Sequence, residues 1–308
     1  MYDVIPDIHG QSCKLTAALK KLGYVERNGA WRHSDPNQTC VFLGDYIDRG
    51  PDNAGVVSIV RRMVDAGTAK AILGNHELNA IHFHTRHPES GEPLRENSGK
   101  NLRQHDSFLK EFPVGGEGTR DAIDWMKTLP LFLEFDHFRA VHASWNERVI
   151  DGLREVSNDG TLGEEQLVRS AVKGDPLYHL IEITTKGPEQ YLPKGFTITD
   201  KDGTIRKEIR VKWWHENPTS WADIANSVPD PSQLPTTDLQ AEARTQAYSS
   251  SAKPVFFEHY WLEGTPILQA SCALCLDYSA EKEGPPVSYR LEGKGEALSL
   301  DNVVVAEP

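Results

Sequence analysis

Three polar clusters near the N-terminus contain side chains that could bind metal ions or transfer protons. They are Asp7-Ile8-His9-Gly10, Gly44-Asp45-Tyr46-Ile47-Asp48-Arg49-Gly50 and Gly74-Asn75-His76-Glu77. A strand-to-helix turn favours Asp, Asn and Gly in any case, so one such cluster alone would indicate only a turn. Three of them, each offering a carboxylate, an amide or an imidazole, indicate a shared site.

The donor atoms of these clusters are oxygens and imidazole nitrogens. The metal-binding candidates among them are Asp7, His9, Asp45 and Asn75. Such a set, without a thiolate, suits Mn²⁺, Fe or Zn²⁺. One ion could not use all four together with further histidines, whereas two ions about 3.5–4 Å apart could share them through a bridging carboxylate. Asp45 follows the middle one of three strands and is best placed to bridge.

Each cluster directly follows a predicted strand. The apolar runs that predict these strands are residues 2–6, 39–43 and 70–73. Between them, apolar residues recur at helical spacing in residues 15–22 and 53–66. Strand–helix–strand repetition predicts a largely parallel start to a sheet, and open sheets of this kind bind ligands at the carboxyl ends of their strands.

The rest of the chain predicts more strands and two insertions. Further strands are predicted at residues 131–135, 139–143, 255–261, 267–277, 287–291 and 297–305. A hairpin is predicted for residues 196–199 and 205–211, around the turn signal Asp202-Gly203. We expect one domain spanning residues 1–308, in which residues 82–128 and 150–253 are insertions or caps over the site.

The composition disfavours nucleic-acid and membrane partners. The chain has 308 residues, with 33 Lys+Arg against 45 Asp+Glu and a formal net charge of −12. This charge repels a nucleic-acid backbone, and no basic run longer than a pair offsets it. No stretch approaches the roughly 18 apolar residues of a membrane span, and the N-terminus lacks a signal-peptide pattern. Four cysteines do not suggest a disulfide framework, so we expect a cytoplasmic enzyme of unspecified oligomeric state.

The ordered triplet of clusters resembles the phosphoprotein-phosphatase branch of the calcineurin-like metallophosphoesterases. The layout of Leu22-Gly23-Tyr24, Arg32-His33 and Gly44 is similar to bacterial members, which include protein phosphatases and dinucleoside-tetraphosphate hydrolases. The dense part of the match covers residues 3–81, about a quarter of the chain. The resemblance implies an α/β fold, a mixed β-sandwich core flanked by helices, with helical insertions.

The resemblance also implies the metal ligands. Asp7 and His9 would bind the first ion, Asp45 would bridge, and Asn75 would bind the second ion with two later histidines. By their places after predicted strands, these are His142 in Val141-His142-Ala143-Ser144 and His259 in Phe257-Glu258-His259-Tyr260. The family's adjacent glycines are absent at both positions. For both ions, Mn²⁺ is the first choice of element, with Fe or Zn²⁺ as alternatives.

The remaining motif residues have implied catalytic roles. Water held between two divalent ions is deprotonated near neutral pH and can attack phosphorus in line. His76 would protonate the leaving group, Asp48 would orient that imidazole, and Arg49 would bind the phosphate oxygens. Glu77 would support the ligands rather than bind metal. A second phosphate-binding arginine is expected from the central part of the chain, with three candidates: Arg210, Lys212 and His215.

These inferences predict a metal-dependent phosphatase acting on phosphomonoesters, with phosphoserine and phosphothreonine in proteins as the first substrate class. The alternative is a dinucleoside polyphosphate hydrolase. A third hypothesis is a phosphate-binding module without activity, disfavoured because every expected ligand type is present.

Several other side chains are expected to have structural roles rather than catalytic or metal-binding ones. Trp213-Trp214 is expected in the core rather than as a stacking wall, and Cys272 and Cys275 in a strand rather than at a zinc site. Four histidines are expected on the polar surface: His82, His84, His87 and His105.

Overall fold

Two β-sheets form the centre of the molecule. The computed structural model describes residues 1–200, 203–226, 228–239, 247–293 and 295–307. One sheet has the strand order β16-β15-β1-β4-β5, and the other has the order β14-β13-β7-β6. Their strands are β1 (Tyr2–Ile5), β4 (Thr39–Phe42), β5 (Ala69–Ala71), β6 (Phe132–Glu134), β7 (Arg139–Val141), β13 (Val255–Phe257), β14 (Ala273–Cys275), β15 (Val287–Leu291) and β16 (Val303–Val305).

Both sheets are mixed. In the first, β1, β4 and β5 run parallel, as the strand–helix–strand pattern predicts, while β15 and β16 are antiparallel additions. In the second, β7, β13 and β14 run parallel and β6 is antiparallel to β7. Since parallel neighbours end at the same edge, the residues that follow β1, β4 and β5 are brought together.

The two sheets pack face to face. Alternate residues of a strand point to opposite faces, so Val4 and Val41 contribute to a buried cluster that also contains Phe256 and Leu274 of the second sheet. Their neighbours in sequence, such as Ile5, face a separate buried cluster formed with the helices. A mixed β-sandwich flanked by helices is therefore confirmed.

Helices cover the outer faces and form much of residues 82–128 and 150–186. They are α1 (Ser12–Lys21), α2 (Asn53–Asp65), α3 (Asn75–His84), α4 (Gly99–Gln104), α5 (Asp106–Glu111), α6 (Glu117–Met126), α7 (Glu147–Val156), α8 (Glu164–Ser170), α9 (Pro176–Lys186) and α10 (Trp221–Ile224). In the described part of the chain, no helix is both long and apolar enough to cross a bilayer.

Short strands outside the sandwich form three small sheets. They are β2 (Tyr24–Arg27), β3 (Ala30–His33), β8 (Glu189–Tyr191), β9 (Ile198–Thr199), β10 (Ile205–Arg206), β11 (Glu208–Val211) and β12 (Ala225–Asn226). The predicted hairpin is present as β9 paired with β10, although Asp202 of its turn lies outside the described residues. The continuous strand predicted for residues 205–211 is divided, because β11 pairs instead with β8 and β12.

Some predicted strands are shorter than expected. The apolar run 267–277 forms a strand only at Ala273–Cys275, and the run 255–261 only at Val255–Phe257. The assignment of residues 82–128 and 150–253 as insertions stays a prediction, and the second range includes residues outside the described part.

Candidate metal centre

The side chains expected to bind metal converge at the carboxyl edge of the sheets. Asp7 and His9 follow β1, Asp45 follows β4, and Asn75 begins α3 just after β5. From the second sheet, His142 follows β7 and His259 follows β13. These are the six residues selected from sequence: Asp7, His9, Asp45, Asn75, His142 and His259.

Asp45 lies between two groups of donor atoms. Its Oδ2 is 3.4 Å from His9 Nε2, and its Oδ1 is 3.5 Å from His142 Nε2. On the first side, Asp7 Oδ2 is 4.0 Å from His9 Nε2. On the second, Asn75 Oδ1 is 3.1 Å from His142 Nε2. The two carboxylate oxygens of Asp45 thus face different donor sets, as a bridging ligand requires.

Several donor atoms at this centre have no hydrogen-bond partner. In the described part of the chain, both carboxylate oxygens of Asp7 and Nε2 of His259 are buried without one. Burial, together with the nearby carboxylates of Asp277 and Glu258, raises the pKa of Asp7 well above its ordinary value. Buried acceptors that repel one another are stabilised by a cation. The residues present therefore fit divalent metal ions.

Two of the three candidate ligand histidines are oriented through their other ring nitrogen. Nδ1 of His9 lies 2.9 Å from the Ile47 carbonyl, and Nδ1 of His142 lies 2.9 Å from the Leu43 carbonyl. A proton on each Nδ1 leaves Nε2 with its lone pair toward the centre. Burial lowers the pKa of His9 to about 3 despite the attraction of Asp45, so this imidazole is neutral.

Glu77 supports the loop that carries Asp45. Its carboxylate accepts hydrogen bonds from the backbone N–H groups of Asp45 (2.8 Å), Tyr46 (2.8 Å), Gly74 (3.0 Å) and Ile47 (3.3 Å). A carboxylate with four backbone donors joins the end of β4 to the first turn of α3. This supporting position agrees with the expectation that Glu77 does not itself bind metal.

The backbone at the centre is locally strained. Five residues outside glycine have positive φ here: His9 (44°), Asp45 (49°), Asp48 (70°), Arg49 (64°) and His259 (82°). Such conformations persist only where surrounding contacts impose them, and they concentrate at functional sites. The motif glycines allow close approach, since a Cβ at Gly74 would lie 2.2 Å from Oδ1 of Asp45.

Asp48 holds two imidazoles. Its Oδ2 lies 2.6 Å from His76 Nδ1, as expected, and its Oδ1 lies 2.7 Å from His105 Nδ1. Burial opposes ionisation of Asp48, but the hydrogen bonds from His105 and His76 hold its pKa well below the ordinary value. Burial would lower the pKa of His76, yet the carboxylates of Asp45 and Asp48 outweigh it and raise that pKa.

His105 is a residue that sequence reasoning missed. The expectation that the histidines of residues 82–105 are exposed is wrong for His105 and His82, which are buried. His105 also stacks on Phe108, with ring centroids 4.7 Å apart and an interplanar angle of 19°. Its environment depends on how α5 packs over the α2 and α3 termini, so no local spacing marks it.

Arg49 lies at the rim of the centre. Its guanidinium forms an ion pair with Glu281 and lies over the ring of Trp261, 4.9 Å from the centroid. Glu281 is buried and also has Oε2 at 3.7 Å from His9 Nε2. Neither Glu281 nor the buried Asp277 was selected from sequence. Asp277 had a usable signal, because it follows a strand and precedes polar residues as Asp7 and Asp45 do.

Of the three candidates for a second phosphate-binding cation, Arg210 is directed to the centre. Burial and the charge of Arg210 lower the pKa of His259 well below its ordinary value. The guanidinium lies 5.9 Å from the centroid of Tyr260, and its Nε has no hydrogen-bond partner in the described part of the chain. His215 Nδ1 instead lies 2.9 Å from the Glu216 carbonyl. Lys212 has its pKa lowered by burial.

The other structural expectations can now be compared with the fold. Trp213 and Trp214 are buried against Phe257, as expected of core residues. Cys272 and Cys275 are free thiols, and Cys272 Sγ donates to a backbone carbonyl at 3.1 Å.

Comparison with known proteins identifies the family. The family model described as calcineurin-like phosphoesterase matches residues 2–240. The chain belongs to this family. The match confirms the resemblance and the fold class drawn from the three motifs, and it implies divalent metal ions at the Asp45 centre, without specifying the element.

Two curated relatives carry the same name. This calcineurin-like chain is 40% identical over 133 residues to an asymmetrical bis(5'-nucleosyl)-tetraphosphatase of Bacillus velezensis, covering 42% of this chain and 50% of the relative. It is 45% identical over 74 residues to the enzyme of that name from Oceanobacillus iheyensis, covering 24% of this chain and 29% of the relative. The match thus spans no more than half the length of either relative.

A solved structure shows the same fold at greater distance. The structure of a cold-active protein tyrosine phosphatase superposes with a TM-score of 0.51 and 16% identity, covering 94% of this chain and 73% of the other. At this identity the likeness concerns the fold alone.

Proposed function

We propose that this chain is a two-metal phosphohydrolase whose substrates are dinucleoside polyphosphates. The observation that carries the proposal is the 40% identity over 133 residues to a relative named as a bis(5'-nucleosyl)-tetraphosphatase. The matched family model supports phosphoester chemistry in general. The relatives therefore favour the alternative proposed from the sequence, a dinucleoside polyphosphate hydrolase. Hydrolysis of phosphoserine or phosphothreonine is the competing hypothesis in the test.

The proposed ligand assignment follows the two donor sets around Asp45. Asp7 and His9 would hold one ion, and Asn75, His142 and His259 the other, with Asp45 shared between them. When bound, the ions would polarise the phosphoryl group and lower the pKa of an attacking water. Mn²⁺ is the ion to test first, because carboxylate, amide and imidazole ligands suit it.

The proposed proton donor to the leaving group is His76. Its side chain is 12% exposed, so it can reach a substrate, while Asp48 fixes the ring at 2.6 Å. Burial lowers the pKa of His76, whereas the carboxylate of Asp48, which is not a ligand in this assignment, raises it and so favours the protonated imidazole. Arg49, beside Glu281, and Arg210, beside Tyr260, would bind the phosphoryl oxygens.

The leaving group separates the two substrate classes. A nucleoside phosphate leaves as a stabilised anion, whereas a serine alkoxide needs a proton in the transition state. Loss of His76 should therefore reduce hydrolysis of phosphoserine peptides more than hydrolysis of dinucleoside polyphosphates.

A substrate panel with Mn²⁺ tests the proposal. We expect kcat/KM for diadenosine tetraphosphate to exceed that for a phosphoserine peptide and for p-nitrophenyl phosphate by at least about 100-fold. Anion-exchange chromatography of the products distinguishes ATP plus AMP from two ADP. Faster hydrolysis of the phosphopeptide would overturn the proposal in favour of a protein phosphatase.

Two variants test the site itself and the inactive-module hypothesis. Asp45→Asn should lose bound metal, measured by mass spectrometry of the eluted ions, and lose turnover. His76→Asn should keep the metal and lose about 10²–10⁴-fold in kcat for a phosphoserine peptide, the range for a general acid, and less for diadenosine tetraphosphate. Full activity in both variants would refute the assignment, and metal binding by a wild-type protein that hydrolyses no substrate would support the module.

A further inference from the structure

A cleft beside His76 has a side wall formed by the insertion 82–128. Its volume is about 480 Å³. His76 and Asp48 lie on one side, Trp261 and Lys282 on another, and Arg95 and Arg103 of the insertion on a third. The cleft therefore continues from the proposed reaction site toward two arginines that have no role so far.

The acidic residues of this cleft already have partners. Asp48 accepts from two histidines, as described above. Glu281 pairs with Arg49, and its Oε1 is 3.3 Å from Lys282 Nζ. Asp106 pairs with Lys110 of the same helix at 2.6 Å.

The two arginines of the insertion have no such partner. In the described part of the chain, neither Arg95 nor Arg103 has a carboxylate within ion-pair distance. Arg95 is half-buried, and its Nη2 donates to Asn101 Oδ1 (3.1 Å) and Gln104 Oε1 (3.0 Å). These amide oxygens orient the guanidinium without forming an ion pair. Burial lowers the pKa of Arg95, and the more distant carboxylates of Asp48 and Glu182 act against that effect, so a positioned cation faces the cleft.

A positioned guanidinium that forms no ion pair with the described residues suits a phosphate group. The planar set of donors matches phosphate oxygens, and half-burial reduces competition from water. The formal charge of the chain is −12, so two arginines beside the reaction site are a local reversal of its overall charge.

We infer that Arg95 and Arg103 form a subsite for the phosphoryl groups that lie beyond the one being attacked. The ligand is an extended chain of linked phosphates, supplied either by a dinucleoside polyphosphate or by inorganic polyphosphate. Only the first of these two ligands, the dinucleoside polyphosphate, makes the inference rest on the proposed function. A phosphomonoester held at the metal centre has no second phosphate to place there.

The test compares ligands with and without linked phosphates. Arg95→Met and Arg103→Gln should each raise the KM for diadenosine tetraphosphate by about tenfold or more. Each should also raise the inhibition constant of inorganic tripolyphosphate by about tenfold, and that of orthophosphate by less than threefold. Equal changes in the two inhibition constants, or no change in either, would overturn the subsite.

The matched control is Arg120→Gln. Arg120 is an exposed arginine of the same insertion that donates to the Gly115 carbonyl and lies outside this cleft. It should alter none of these constants. Arg103 is exposed, so Arg103→Gln remains informative if Arg95→Met destabilises the insertion.

The outcomes separate this inference from the proposed function. Tripolyphosphate inhibition is measured with p-nitrophenyl phosphate as the reporter, so it requires no hydrolysis of diadenosine tetraphosphate. In one outcome the wild-type protein cleaves only monoesters while both variants bind tripolyphosphate more weakly; the proposed function then fails and the subsite stands. If the wild-type protein cleaves diadenosine tetraphosphate, and neither variant changes the KM or the inhibition constants, the subsite fails and the proposed function stands.

Discussion

Asp48 organises the proton donor by binding two imidazoles at once. Each carboxylate oxygen has its own partner, His76 at 2.6 Å and His105 at 2.7 Å. The second hydrogen bond prevents the carboxylate from rotating away from His76. His105 is therefore a positioning residue in the proposed mechanism, since it contacts Asp48 rather than a substrate.

His105→Phe tests this positioning. The ring and its stacking on Phe108 are retained, but the hydrogen bond to Asp48 is lost, at a cost of about 1–1.5 kcal/mol. We expect kcat to fall about 5–10-fold, and to fall further for alkyl phosphates than for p-nitrophenyl phosphate, because poor leaving groups depend on His76. The exposed His179→Phe is the control. An equal loss for both kinds of leaving group would indicate a purely structural role.

At the scale of elements, α3 connects the candidate metal centre to α8. Its first residue is Asn75, and Glu77 in the first turn supports the β4 loop. Toward its C-terminus, His82 is buried and its Nε2 lies 2.7 Å from Ser170 Oγ, at the end of α8. The helix thus links the centre to the end of α8 through a neutral histidine.

The stability of this connection should depend on pH. Burial, with the charges of Arg95 and Lys186, lowers the pKa of His82 to about 4, against about 6.5 when unfolded. Between these values the unfolded chain binds a proton that the folded chain excludes. The contribution of His82 to the free energy of unfolding is therefore fully present above about pH 6.5 and is lost as the pH falls toward 4.

Urea denaturation at several pH values measures this effect. From pH 7 to pH 5, the free energy of unfolding should fall by about 2 kcal/mol more in the wild-type protein than in His82→Asn, which cannot titrate. His179→Asn should follow the wild-type curve. Parallel curves of unfolding free energy against pH for the wild type and His82→Asn would show that this histidine does not cause the pH dependence.

At the scale of the whole molecule, the two ends of the described chain are joined in one sheet. β1 lies between β4 and β15, so the C-terminal strands are part of the sheet that carries Asp7. Asp3 and Arg290 are directly opposite each other in the β1–β15 pair, with Arg290 Nε 2.8 Å from Asp3 Oδ1. Gln38 Nε2 donates to Asp3 Oδ2 at 2.7 Å.

Asp3→Asn should destabilise the molecule. Asp3 is fully buried, and removing one partner of a buried ion pair typically costs about 3–5 kcal/mol. Because the Arg290 side chain is 29% exposed and can regain water, we expect about 3 kcal/mol, measured as the free energy of unfolding. Asp121→Asn removes an exposed pair with Arg61 and should leave the unfolding midpoint unchanged. Equal effects of the two variants would contradict the proposed role of Asp3.

Short-range patterns were sufficient for the three parallel strands β1, β4 and β5 of the first sheet and for the motif residues. The order of β1, α1, β4, α2 and β5 follows from apolar runs separated by glycine-containing turns, which act within a few residues. One short-range signal was overlooked: Asn28-Gly29, with φ of 51° and 78°, joins β2 and β3 as a hairpin turn. Strand ends in the second sheet were less predictable, because pairing rather than local apolarity ends β13 and β14.

By itself, the sequence determined that Asp7, His9, Asp45, Asn75 and His76 meet at one sheet edge, since each follows a parallel strand at close spacing. The tertiary structure decided which distant residues complete the site. His105 binds Asp48, Glu281 binds Arg49, and Arg95 lines the cleft beside His76, all because segments far apart in the chain pack together. The physical reason is that backbone geometry fixes neighbours along a strand, whereas charge pairing and burial depend on packing between elements.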